Sequence, residues 1–220
     1  MKSLYFFSGF DKERGFTAEI AKSLQEHIID KSSLLLIASC PHSYEKTDAY
    51  KDGGIMWFRN IGIEFENVDV LDGRKTKTEC LGLVSDASVI FLMGGTTFLQ
   101  FEFLQKNDLI PALKQFDGVI MGLSAGSINM AVNSFYSADK DCSRTHIYKG
   151  IGLSDVSIEP HFMIENKDLL DNDILPFSEI IDIYAMCDDS AILVRNDNRQ
   201  FFGNIYLASK GKIEKVNRTV

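Results

Sequence analysis

Gly118-Val119-Ile120-Met121-Gly122-Leu123-Ser124-Ala125-Gly126-Ser127-Ile128 decides how the chain is read. Its first half is an apolar run of strand length, and helix-forming residues follow from Ala125 to Val132. Between them stands Gly-x-Ser-x-Gly, a spacing that fits a sharp turn from a strand into a helix. Such a turn lifts the serine above the sheet edge, where a substrate can reach it, and the glycines remove side chains that would clash there. The helix N-terminus that follows aims amides and partial positive charge at a developing oxyanion. A serine that merely caps the helix is the plainer alternative. Strand before and helix after favour a nucleophile turn at Ser124.

Outward from this turn, apolar runs alternate with segments of helical period. Leu4 to Phe7, Leu34 to Ala38, Val68 to Leu71, Val89 to Met93 and Val119 to Gly122 read as strands. Most are nearly continuous apolar runs, the pattern of parallel strands covered on both faces. Phe16, Ile20, Leu24 and Ile28 recur every fourth residue and predict a helix from Thr17 to His27. Further helices are expected over Tyr50 to Ile61, Thr76 to Leu83 and Phe98 to Leu113, the last interrupted near Asp108 to Pro111. Repeated β-α order implies an α/β fold, a mostly parallel sheet with helices on both faces and right-handed crossovers. Residues 136 to 160 read as polar and loop-rich, and a helical segment is expected near Ile174 to Ile183. Ala191 to Arg195, Phe201 to Leu207 and Lys212 to Val216 read as antiparallel C-terminal strands, with a turn at Asn196-Asp197-Asn198.

Composition bounds the partners. The 220 residues are 45% apolar and 25% charged, with no linker or low-complexity tract, which reads as one domain over 1–220. With 23 basic and 31 acidic residues the net charge is −8, a sign that repels phosphate backbones and anionic lipid. Nucleic-acid and membrane partners are therefore not expected. Cys40, Cys80, Cys142 and Cys187 are widely spaced and read as thiols rather than a disulfide frame or zinc site. The apolar start, Met1 to Phe10, is too short for a signal peptide, and no run reaches membrane-spanning length. A cytoplasmic location is expected.

A serine nucleophile needs a base, and the chain has four histidines. His27 falls in the first helix and His42 in a loop, both suited to structural roles. His146 stands in a polar stretch and is a secondary candidate. His161, in Ile158-Glu159-Pro160-His161-Phe162, is the best placed, because proline and phenylalanine restrict the backbone on either side. A third group must hold the imidazole by its other nitrogen. Asp139, Glu159 and Asp189 are the candidates, and spacing does not choose among them.

Three blocks together resemble the peptidase E and cyanophycinase family of serine peptidases. They are Val89 to Phe98 with its Gly94-Gly95 turn, Gly122 to Gly126, and Pro160-His161-Phe162. The resemblance implies a flavodoxin-like fold related to class I glutamine amidotransferases. It implies Ser124 as nucleophile, His161 as general base and the amides of Gly95 and Ala125 as the oxyanion hole. Asp139 falls where peptidase E has its orienting aspartate, and Asp189 roughly where some relatives have a glutamate. It implies no metal or organic cofactor and a small peptide as substrate. Two features depart from the family pattern: Met93 and Thr96 replace the first glycine and the asparagine of its turn, and Met163 to Ile183 contains no arginine, Lys167 being the only cation. Aspartyl specificity is therefore not carried over.

Two rivals follow from the same residues. An esterase of the α/β-hydrolase type shares the order Ser124, Asp139, His161. It usually keeps a longer segment between serine and histidine, and the Gly94-Gly95 turn better fits peptidase E. A non-catalytic small-ligand-binding protein could keep the turn as an anion site. Such a protein would be marked by His161 lying out of reach of Ser124.

Overall fold

The computed structural model describes residues 2–139 and 142–216. Its centre is a seven-stranded sheet. Five strands run parallel: β1 (Ser3–Phe7), β2 (Ser33–Ile37), β3 (Asn67–Leu71), β4 (Val89–Leu92) and β5 (Val119–Leu123). Their spatial order is β1-β5-β4-β2-β3. Strands alternate their side chains across the sheet, so one apolar run feeds two cores. Leu4, Phe6, Ile90, Leu92 and Ile120 face one core, together with Leu104 and Leu113 from helices α4 (Thr97–Lys106) and α5 (Leu109–Gln115). Tyr5, Phe7, Phe91 and Met121 face the other, against Ile20 and Leu24 of α1 (Ala18–His27) and Phe58 of α2 (Tyr44–Asn60). The parallel α/β architecture expected from the apolar runs is the one observed.

Local signals explain most boundaries. α3 (Lys77–Asp86) opens on a capping box in which Thr76 and Glu79 satisfy each other's amides. The break expected near Asp108 is there: Asp108 sits at φ 52 between α4 and α5. Helix α2 starts earlier than its apolar period suggested and runs through Gly53-Gly54.

The C-terminal half holds the larger differences. Strands β6 (Asn133–Tyr136) and β7 (His146–Lys149) form a separate two-stranded sheet inside and beside a stretch that reads as loop. β7 is only partly covered and its lining is mixed, so no alternation marks it. Helical turns occupy Lys167–Leu169, a π-helical stretch Leu170–Ile174, and Leu175–Phe177. The helix expected up to Ile183 thus ends sooner. Ile183 instead opens β9 (Ile183–Met186), which pairs in parallel with β8 (Ser157–Glu159). The run Phe201 to Leu207 is two strands. β10 (Ala191–Arg195) joins the central sheet antiparallel to β1, and β11 (Asn198–Phe202) pairs antiparallel to β10 at the edge. By contrast, β12 (Ile205–Ser209) and β13 (Lys212–Lys215) join β9 and β8 in a second sheet. Gly203 makes the switch at φ 77, where a Cβ would lie 2.7 Å from the Asp189 carbonyl oxygen. Among the described residues no helix is long and apolar enough to cross a membrane.

Candidate active site

Ser124 stands between the end of β5 and the start of α6 (Ala125–Met130), with φ 49 and ψ −108. A non-glycine residue rarely occupies that region, and the strain is characteristic of a nucleophile turn. The backbone is held from both sides. The Ser124 amide donates to the Phe7 carbonyl at 2.9 Å. Buried Ser127 donates toward the Phe7 and Gly122 carbonyls and accepts from the Phe7 amide, bolting the helix to the end of β1. Both glycines of the turn are sterically required. A Cβ at Gly126 would lie 2.2 Å from the Leu92 carbonyl oxygen, and one at Gly122 would lie 2.5 Å from the Ser127 amide. Gly126→Ala is therefore expected to destabilise the fold by about 3 kcal/mol, as overpacking against backbone does. For a chain of this size that lowers Tm by roughly 6–12 °C, which thermal unfolding by circular dichroism measures.

His161 reaches Ser124 across the sheet tips. Its Nε2 lies 2.9 Å from Ser124 Oγ, and its Nδ1 lies 2.7 Å from Oδ1 of Asp188. Serine, imidazole and carboxylate thus form a continuous line of hydrogen bonds. Both side chains stand partly in solvent, His161 at 53% and Asp188 at 60% exposure, so the site is open. His161 itself has φ 57, a left-handed conformation that points its ring away from strand β8 and toward Ser124.

The acid at His161 is none of the expected three. Asp139 lies elsewhere, where its carboxylate accepts from the Tyr136 hydroxyl at 2.8 Å and the Cys142 amide at 2.9 Å. Asp189 pairs with Arg14 at 2.5 Å. Glu159 is buried and accepts from Ser137. Strand pairing explains the assignment of place. The register Glu159↔Ala185 between β8 and β9 sets the residues just beyond those strands side by side, and His161 and Asp188 are among them. The available signal was a polar Asp188-Asp189-Ser190 run directly after an apolar strand. The other histidines are engaged apart from the serine. His27 Nδ1 pairs with the Tyr5 hydroxyl at 2.7 Å, a Cβ at Gly73 would meet the His42 ring at 2.5 Å, and His146 stacks on Phe98.

The Gly94-Gly95 turn follows β4, next to β5 in the sheet. Gly95 has φ 139, and a Cβ there would lie 2.2 Å from Ser39 Oγ, whose hydroxyl donates to the Gly94 carbonyl at 2.5 Å. A buried amide pair holds this turn. Gln100 Nε2 donates to the carbonyls of Ile37 and Met93, and Asn129 Nδ2 donates to the Thr97 carbonyl and to Gln100 Oε1. Tyr148 closes the network by donating to Asn129 Oδ1 at 2.7 Å. Because Asn129 belongs to α6, the network ties the glycine turn to the serine's own helix. Nothing in spacing linked Gln100 to Asn129, though an amide in an apolar helical face is a visible cue. No group of His, Cys, Asp and Glu that could hold a metal ion occurs among the described residues.

Glu159 carries a pH consequence. Burial pushes its carboxyl up to about 8, opposed by the Ser137 hydrogen bond and helped by the charges of Asp173 and Asp139. The folded state therefore keeps a proton that the unfolded chain releases near its ordinary 4.5. Stability present below that value is lost as pH rises, by about 1.4 kcal/mol per unit until the folded group also ionises near 8. Glu159→Gln, neutral and similar in shape, is expected to flatten this dependence and to be the more stable protein at pH 8.5. Urea unfolding of both proteins at pH 5.5 and 8.5 measures it.

Three comparisons with known proteins bear on the site. The family model described as peptidase family S51 matches residues 8–201. Among curated proteins none matches. Among solved structures, a peptidase from an acI-B1 Actinobacterium is similar at 19% identity and TM-score 0.71, over 99% of this chain and 95% of that one. A putative peptidase E protein from Listeria monocytogenes EGD-e is similar at 18% identity and TM-score 0.68, over 92% and 98%. At these identities the structural likeness speaks for the fold.

Proposed function

The chain belongs to peptidase family S51, and on that premise we propose that it is a serine peptidase working through Ser124, His161 and Asp188. His161 takes the Ser124 proton on Nε2 as Oγ attacks the carbonyl carbon of a peptide bond. Asp188 holds the Nδ1 proton, fixes the tautomer and stabilises the imidazolium. The amides of Gly95 and Ala125 are the donors for the oxyanion. The C–N bond then breaks and the amine leaves with the proton from His161. Water, deprotonated by His161, attacks the acyl-enzyme ester and returns Ser124 to its hydroxyl form. Every step uses protein groups and water.

One observation carries this reading above the others: the unbroken hydrogen-bond line from Ser124 Oγ through both nitrogens of His161 to Asp188. It also removes the feature that would have marked a non-catalytic binding protein, a histidine out of reach. The open site, at strand ends of a small α/β domain, supports short peptides as substrates. The absence of an arginine from Met163 to Ile183 leaves no ground there for an aspartyl preference. A cytoplasmic setting belongs to the same proposal, in keeping with four free thiols, Cys40, Cys80, Cys142 and Cys187.

A dipeptide and isopeptide library, incubated with wild type and Ser124→Ala side by side, tests the proposal. Cleavage of a defined subset by wild type alone is the expected result. Hydrolysis of p-nitrophenyl esters with no peptide cleaved at all would instead make the protein an esterase.

A further inference from the structure

The tip of β1 contributes no reacting group, yet all three members of the site rest on it. Phe7 accepts the Ser124 amide at 2.9 Å. Gly9 accepts the Asp189 amide at 2.7 Å, and a Cβ on Gly9 would lie 2.3 Å from Asp188 Oδ1 and 2.8 Å from His161 Cε1. Between them, Ser8 is fully buried. Its Oγ accepts the His161 amide at 2.7 Å, and its proton is within reach of two acceptors, the Met186 carbonyl at 2.9 Å and Asp188 Oδ1 at 3.2 Å. A hydroxyl has one proton to give and two lone pairs to receive with. Ser8 therefore serves the main chain of the histidine with a lone pair, and the carboxylate behind it with a proton shared with the Met186 carbonyl.

We propose that Ser8 is a positioning residue for the peptidase site, latching His161 in its left-handed conformation and holding Asp188 against it. The proposal rests on the reading of Ser124, His161 and Asp188 as the reacting triad. His161 needs such a latch because φ 57 is unfavourable for a residue with a Cβ. The Phe162 amide, bonded to the Met186 carbonyl at 2.9 Å, is the next tie along the chain, so Ser8 and Met186 together grip both sides of the strained residue. Without the hydroxyl, the His161 amide loses its partner and the ring is free to swing into the solvent that already covers half of it.

Ser8→Ala and the near-isosteric Ser8→Cys, compared with wild type, test this. Two measurements read the reacting serine: the second-order rate of labelling by a fluorophosphonate probe, and kcat and KM for p-nitrophenyl acetate. A shift of about 1 Å at a reacting group costs roughly 100-fold. Ser8→Ala is thus expected to lower labelling rate and kcat by about 30- to 100-fold. KM stays within threefold (about half a decade, as for a ligand site left intact), and every folded molecule is still labelled at completion. Ser8→Cys, a weaker hydrogen-bonding partner, is expected to fall between the two, and it carries the test if Ser8→Ala does not fold. A labelled fraction that drops while the rate of the remaining molecules equals wild type would show a purely structural role and overturn the proposal. So would wild-type rates in both variants. His161→Ala, run in parallel, separates the premises. If His161→Ala labels as fast as wild type, the triad reading itself fails. If it is inert while both Ser8 variants react normally, only the role of Ser8 is lost.

Discussion

Ser124→Ala is expected to lower peptide turnover by roughly 10⁴- to 10⁶-fold and to abolish fluorophosphonate labelling, with the thermal midpoint nearly unchanged. The size follows from the chemistry. Without Oγ there is no covalent intermediate, and only binding and the oxyanion amides remain to assist a direct attack by water. The unchanged midpoint follows from the contacts. Ser124 Oγ bonds to His161 Nε2 on the open side of the site. Its backbone, by contrast, is held by the Phe7 carbonyl, a tie the substitution leaves intact. Active-site titration and differential scanning calorimetry on the same preparations measure both halves. A variant that retains more than about a hundredth of wild-type turnover sinks the nucleophile assignment, because residual catalysis by the other groups does not reach that level.

Three strained residues meet at this site. Ser124, His161 and Asp189 all have positive φ without being glycine. Each such residue costs of order 1–3 kcal/mol and persists only where its surroundings fix it. Here the surroundings are the end of β1 and the strand ends beside it: the carbonyl of Phe7 under Ser124, the hydroxyl of Ser8 under His161 and the carbonyl of Gly9 under Asp189. The buried parallel strand that passes between two cores is thus also the mount that holds the residues of the proposed triad in line.

What the sequence made legible follows from locality. Leu4 to Phe7 and Val119 to Gly122 announce buried parallel strands because burial on both faces demands continuous apolar residues. Ser124 was readable because its turn needs glycines within two residues on either side. His161 was readable from its bracing neighbours. The carboxylate that meets His161 was not, because its place is set by the pairing of β8 with β9, a contact that no local pattern encodes. Likeness to peptidase E points to Asp139, and the Asp189 position lies one residue from the carboxylate that reaches the ring. In a turn after a strand, adjacent side chains point in different directions, so Asp188 meets His161 while Asp189 meets Arg14. Likewise the single run Phe201 to Leu207 concealed a change of sheet, because only the φ of Gly203 distinguishes a bend from a continuous strand.

That one-residue difference supplies the sharpest comparison the site offers. Asp188→Asn is expected to reduce kcat by about 10³- to 10⁴-fold. Asparagine can present its amide N–H₂ to His161 Nδ1, which favours the tautomer carrying a proton on Nε2. An Nε2 so protonated cannot accept from Ser124, and the imidazolium formed in the reaction loses its counter-charge. Because Asp188 is more than half exposed, water offsets part of that loss, and the lower end of the range is the better expectation. Asp139→Asn leaves the Ser124–His161–Asp188 line untouched. It alters a surface turn with Tyr136 and Cys142 and removes a charge near Glu159, so its kcat should stay within about threefold of wild type, as surface substitutions of this kind do. Asp189→Asn, which weakens a solvent-exposed pair with Arg14, should behave like Asp139→Asn. Steady-state kinetics on the three variants with one cleavable dipeptide decide the matter. A collapse in Asp139→Asn with Asp188→Asn spared would return the orienting role to Asp139 and would require the loop that carries it to move onto His161 when substrate binds.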